Sequence, residues 1–185
     1  MMEVLVKGQI CPAYEWQGRL FMEGAEGARF QIRLRNPMSV RILVVLTVDS
    51  LNVTNGLPGR FNGPGLIVAP GQTITMPGFV VDSSSCRPFT FSESGVLGAA
   101  LFCEDPTSLQ SSERRTDHST VLQGPTVLQG PKERLYTAQT VFHPATKIPQ
   151  KVYKIQYATA RTLVQWRVPI PCQPPEADPF PAEAP

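Results

Sequence analysis

At 185 residues, with 42% of them aliphatic, aromatic or cysteine, the chain is long enough for one good core plus an arm or tail, and its composition excludes global disorder. The formal charge of +2 conceals an uneven division: residues 1–131 carry ten basic and eleven acidic side chains, 132–173 seven basic and one acidic, and 174–185 three acidic and none basic. A basic strap followed by an acidic tail favours contact between copies or with a larger assembly, against the plainer alternative of a solvated face and a solvated tail.

The N-terminus, MMEVLVKGQICP, has Glu3 and too short an apolar stretch for a signal peptide or a membrane segment, so neither is expected. Glu3 to Ile10 reads as a first strand; Arg19 to Glu23 and Ala28 to Arg35 read as a hairpin about Gly24-Ala25-Glu26-Gly27. In the second of these, Arg29, Gln31, Arg33 and Arg35 alternate with Phe30, Ile32 and Leu34, one wet face against one buried face. Asn36-Pro37-Met38-Ser39 is turn chemistry, and Arg41 to Val48 follows as an aliphatic, β-branched run fit for a fully buried strand. A loop rich in Gly and Pro, SLNVTNGLPGRFNGPG, comes next. Leu66 to Ala69, Gln72 to Met76, Phe79 to Val81, Pro88 to Ser92 and Val96 to Cys103 then recur as short strands, with Pro70-Gly71 as one of the turns. This spacing predicts an all-β domain, an antiparallel β-sandwich or jelly roll, over residues 1–105.

RNPMSVRILVVLTVDSLNVTNG, then GLIVAPGQTITMPGF, then VLGAALFCE, resembles a family of uncharacterised small bacterial and phage-borne proteins. That family shows an arginine-asparagine turn, a VLVVxSVDGLNVxxG strand and loop, a GYVLxPGxxxxIxGW strand and a closing GVIGVAVFxE strand. The likeness spans roughly residues 28–104 and is most specific from Val44 to Gly56. Ser50 stands where the family tends to have glycine and Phe79 where it tends to have tryptophan, and the segment from Ser84 to Gly95 is shorter than usual. The resemblance implies a fold and carries no established activity.

Residues 106–131 turn to Ser, Thr, Gln, Gly and Pro and contain TVLQGP twice in tandem, Thr120 to Pro125 and Thr126 to Pro131. Six residues are too few for a packing repeat, so a duplicated surface loop is expected, the alternative being Val-Leu pairs that dock in series on a neighbour. Leu135 to Phe142, Lys151 to Tyr157 and Thr162 to Val168 return to strand character within residues 132–173, either completing the sandwich or forming an exchanged arm. In the last of these, Val164, Trp166 and Val168 are expected on one face. Lys and Arg alternate with Tyr and Trp here but fall on opposite faces of the strands, as in any half-buried strand, so nucleic-acid binding is not expected. Residues 174–185 form an acidic, proline-rich tail that favours extended polyproline II, with Phe180 the only large apolar residue after Ile170.

The residues supply no catalytic constellation. His118 and His143 lie in Ser- or Pro-rich surroundings, and the adjacency of Asp117, His118 and Ser119 is no triad, which is a spatial arrangement. Asp49 and Asp82 are isolated carboxylates at strand ends, better suited to turns than to acid-base work. The glycine loop from Gly56 to Gly65 lacks the Lys-Ser/Thr of a phosphate cradle. Cys11, Cys86, Cys103 and Cys172 are scattered without a CxxC pair, which argues against a zinc or redox motif and for reduced, mostly buried thiols. The Asn52-Val53-Thr54 sequon matters only on a secretory route.

No enzyme activity, cofactor, metal, membrane or small-molecule substrate is therefore expected. The favoured expectation is a structural protein of a symmetric assembly, such as a phage capsid decoration or cement protein or another head or tail part, located in the virion or otherwise the cytoplasm. Its partners would be copies of itself or other structural proteins. Candidate contact residues are Phe180, Pro174, Pro175 and Pro179 in the tail, Arg60 and Phe61 in the glycine loop, and Leu122 and Leu128 in the two hexapeptides. The alternative is a ligand- or carbohydrate-binding β module with Tyr14, Trp16 or Trp166 exposed on a concave face.

Overall fold

The computed structural model describes residues 1–82, 85–105, 122–123 and 141–169. Strand character dominates because apolar and polar residues alternate over short runs closed by tight turns. In chain order, β1 (Met2–Val6), β2 (Gln9–Ile10), β3 (Ala13–Trp16), β4 (Arg19–Glu23), β5 (Arg29–Arg35), β6 (Ile42–Val48) and β7 (Leu51–Asn52) occupy the first third. β8 (Leu66–Val68), β9 (Thr73–Met76), β10 (Gly78–Val80), β11 (Cys86–Thr90), β12 (Ser94–Cys103), β13 (Leu122–Gln123) and β14 (Lys151–Ala158) follow, then one short helix, α1 (Ala160–Gln165).

These strands form two sheets packed face to face, a sandwich and not a closed barrel. The smaller sheet runs β10-β11-β5-β1-β2, with β9 also on β5; the larger runs β13-β8-β6-β12-β14-β4-β3, with β7 also on β6. Most pairings are antiparallel, but β14 runs parallel to β4 and β13 parallel to β8. The inward faces meet in one core: Phe30, Ile32 and Leu34 of β5 oppose Val44, Leu46 and Val48 of β6, Leu97 and Ala99 of β12, and Ile155 and Tyr157 of β14. Phe30 stacks on Phe91 at 4.3 Å and on Phe89 at 5.3 Å, and Tyr157 meets Phe91 edge-on at 5.1 Å. Such aromatic contacts add to the burial of the rings themselves.

Three hairpins turn on two residues with positive φ: Lys7-Gly8 (52° and 81°), Gln17-Gly18 (50° and 71°) and Asp49-Ser50 (49° and 66°). Their flanking pairs, Val6↔Gln9, Trp16↔Arg19 and Val48↔Leu51, confirm two-residue loops of the type I′ class, whose twist matches that of the strands. The second position favours glycine, and Ser50 occupies it without one.

Three expectations from the sequence are corrected. Arg19–Glu23 and Arg29–Arg35 do not form a hairpin: β4 pairs with β3 and β14 in the larger sheet, β5 with β1, β9 and β11 in the smaller. The chain crosses between layers at Gly24, where a Cβ would stand 2.7 Å from the Phe91 ring, and the Gly24 and Gly27 amides donate to Ala158 and Phe91. Residues 162–168 are not a strand. Thr159 caps α1 by accepting from the Thr162 amide at 3.4 Å, which turns the Val-Gln-Trp-Arg-Val alternation into one helical turn and a tail-off; Leu163 and Val168 are buried, while Val164 and Trp166 are 66% and 41% exposed. The thiols of Cys11, Cys86 and Cys103 are free but only half-buried. The expected strand over Leu135 to Phe142 falls mostly outside the described residues, as do Cys172 and His118.

β14 lies in the middle of the larger sheet, eight register pairs against β12 on one side and four against β4 on the other.

Candidate functional site

On the outer face of the larger sheet the chain covers itself at both ends. At one end Phe142 closes over Leu43, Val45, Ile67, Ala100 and Phe102; at the other α1 and Val168 pack on Phe21 and Ala158. Tyr14, Trp16 and Trp166 belong to this second cluster, with Phe21 at 6.0 Å from Trp16 and 6.5 Å from Trp166, edge to face. They are thus a hydrophobic anchor for α1, with Tyr14 and Trp16 half-buried and Trp166 41% exposed. The Tyr14 hydroxyl is buried there with no hydrogen-bond partner among the described residues.

Between these covered ends lies an open groove of 410 Å³. Its floor comes from outward positions on three adjacent strands: Val45 and Thr47 of β6, Gly98 and Ala100 of β12, Val152 and Lys154 of β14. Thr47, Gly98 and Lys154 stand in register across the sheet. Gly98 hollows the centre, since a Cβ would approach the Thr47 hydroxyl to 2.6 Å. A glycine inside a strand commonly marks such a close approach.

The wall comes from the glycine loop, and a buried asparagine shapes it. Asn52 donates through Nδ2 to Pro64 O at 2.8 Å and accepts on Oδ1 from the Thr54 amide at 2.9 Å and its hydroxyl at 2.6 Å. Its backbone carbonyl takes the Gly56 amide and its amide meets Leu57 O, so the two ends of the loop are stapled through one side chain. Gly59 then lies flat on β6, its amide on Ser50 O at 2.8 Å and its Cα so near that a Cβ would meet Thr47 Cγ2 at 2.5 Å. This seat carries Arg60 and Phe61 over the groove, Phe61 being 58% exposed. With Asn52 1% exposed and its amide engaged, the Asn-Val-Thr sequon is a structural staple. Asn36 does the same for the other conspicuous turn: its Nδ2 reaches Val40 O and Val68 O, and its Oδ1 accepts from the Met38 amide.

The groove is apolar with two cationic rims. Among the described residues, Arg60 and Lys154 are its charged lining residues, no acid lines it, and neither cation is in an ion pair. The ion pairs of the fold lie elsewhere. Arg41 grips the nearly fully buried Glu104 through Nε at 2.7 Å and through Nη2, closing the end of β12 onto β6; Arg33 meets Glu3 at 2.7 Å on the smaller sheet.

Asp49 and Asp82 serve turns. Asp49 accepts from the Val96 amide at 2.9 Å and the Tyr157 hydroxyl at 2.7 Å, and Asp82 accepts from the Ser85 hydroxyl. Among the described residues no three His, Cys, Asp or Glu side chains are grouped so as to hold a metal ion, and no helix is long and apolar enough to cross a membrane.

Of the residues picked from sequence, Arg60 and Phe61 come together on the groove, and Leu122 lies in β13, paired with Leu66 on the edge of β8. Leu128, Pro174, Pro175, Pro179 and Phe180 lie outside the described residues. Thr47, Val152 and Lys154 went unmarked because only strand pairing brings them together; Gly98, a glycine in a strand run, was the readable signal. Comparison with protein-family models, with curated proteins and with solved structures found no match to this chain.

Proposed function

We propose that this protein is a non-enzymatic structural subunit of a symmetric assembly, of the kind that decorates or cements a phage capsid or serves elsewhere in the head or tail. The observation that carries this reading is the apolar groove left open in the middle of an otherwise self-covered sheet face, with Phe61 and Val152 exposed by 58% and 53% beside it. Exposed apolar surface framed by charge is characteristic of surfaces that bury against another protein. The sandwich would act as a rigid block, and the glycine loop and flanking segments would clasp neighbours. The division of charge along the chain supports the same reading.

Light scattering coupled to gel filtration of the full chain, from about 1 µM to 500 µM, tests it. A concentration-dependent rise in mass to a defined oligomer, or incorporation into purified particles, is expected. A monomer across the whole range that no particle retains would sink the reading.

A further inference from the structure

We infer that the groove is the docking site for residues 174–185 of a second copy of this chain, so that each subunit hands its acidic, proline-rich segment to the next. The inference rests on the assembly reading and names the contact that makes it.

The chemistry of the groove selects the occupant. An apolar floor hollowed at Gly98 and flanked by Arg60 and Lys154, with no acid in the lining, calls for a peptide with one large apolar side chain and several carboxylates. Residues 174–185 combine three acids, Glu176, Asp178 and Glu183, with no base, and Phe180 is their one large apolar side chain. The basic stretch 132–173 would be repelled by the same rims, and 106–131 carries charges of both signs. A proline-rich segment also binds at low entropic cost, because its extended form is already populated when free.

The assembly reading places the acceptor groove on a neighbouring copy, and the length of chain beyond Val168 allows that contact. Val168 is seated over Phe21 and Ala158, and Ala158 is four strand residues from Lys154, about 13 Å along the sheet. Glu176 is eight residues beyond Val168, so the intervening chain could span up to roughly 25 Å at about 3.1 Å per extended residue. A head-to-tail exchange of this kind closes into a ring or runs on as a lattice, depending on the rotation between copies.

A fluorescein-labelled peptide of residues 170–185 titrated into protein lacking residues 174–185 tests the contact directly, with light scattering of the full chain alongside. Saturable binding is expected, weakened about tenfold by Arg60→Glu combined with Lys154→Glu, both exposed positions that leave the fold intact. Phe180→Ala in the peptide should abolish it, and a peptide with Glu176→Lys and Asp178→Lys should recover affinity for the charge-reversed groove. The full chain should self-associate and the shortened protein should not. Self-association that persists without residues 174–185 overturns this inference and leaves the assembly reading standing. A full chain that remains monomeric overturns this inference, whether or not the peptide binds, since binding in that case places the segment in its own groove; the assembly reading falls with it only if no particle retains the chain.

Discussion

Asp49 and Tyr157, 108 positions apart, meet at 2.7 Å across the mouth of the sandwich, the tyrosine hydroxyl donating to one carboxylate oxygen while the Val96 amide donates to the other. The contact ties the β6–β7 turn to β12 and β14 at once. No alanine fits beneath it: a Cβ on Gly95 would stand 2.0 Å from Asp49 Oδ1 and 2.3 Å from the Tyr157 hydroxyl.

Tyr157→Phe keeps the buried ring and deletes the donor, which should cost about 1 kcal/mol. Burial first, and the Asp49 carboxylate second, hold the hydroxyl above its ordinary pKa of 10.0, so the fold favours its neutral form. That stability is present in full below about pH 10 and is lost as pH rises through the folded value. Urea unfolding of both proteins from about pH 8 to 12 should show the gap between them narrowing at the alkaline end. A gap that stays constant would mean the hydroxyl contributes only by shape.

Ser50→Gly should stabilise the fold by about 1 kcal/mol, because φ is 66° at a position where the side chain is strained and the hairpin favours glycine. The urea midpoint should rise with an unchanged slope.

The two ion pairs should differ sharply. Glu104 is 2% exposed in its side chain and is paired with Arg41, so Arg41→Ala leaves a buried carboxylate without that partner and should cost about 3 to 5 kcal/mol. Arg33 and Glu3 are 33% and 26% exposed, and Arg33→Ala should stay within about 1 kcal/mol and lose most of its effect in 1 M salt. Equal costs for the two would contradict the burial argument.

Deleting either TVLQGP copy gives the same sequence, leaving one Leu-Gln to pair as β13 with Leu66 and Ile67. Hydrogen exchange on β8 should be unchanged in that variant and should accelerate at least about tenfold when both copies are removed and the edge is left bare. Faster exchange after the first deletion would mean that the two copies act together.

Much of this architecture was readable because it is local. The alternation from Phe30 to Arg35 and the apolar run from Ile42 to Val48 give β5 and β6 nearly residue for residue. β3 was missed although Gln17-Gly18 carries a hairpin signature, since Ala13 to Trp16 buries too little to look like a strand. The false β4–β5 hairpin has a different cause: β4 pairs with β3 on one side, and its partner on the other is β14, more than a hundred residues away, which no local pattern announces. The groove shares that difficulty. Arg60 and Phe61 stand out in a glycine loop, but Thr47, Gly98 and Lys154 become neighbours only through the register of three strands.

The central position of β14 also bears on how the protein is made. Until residues 151–158 leave the ribosome, β12 and β4 each present an unpaired edge, and the larger sheet exists as two separate pieces. At about 5 to 20 residues per second, synthesis holds the nascent chain in that divided state for several seconds after β12 is complete. Those edges are the surfaces on which neighbouring nascent chains would pair wrongly. Yield in the cell should therefore depend on chaperone supply and growth temperature more than the finished sandwich's own stability would suggest.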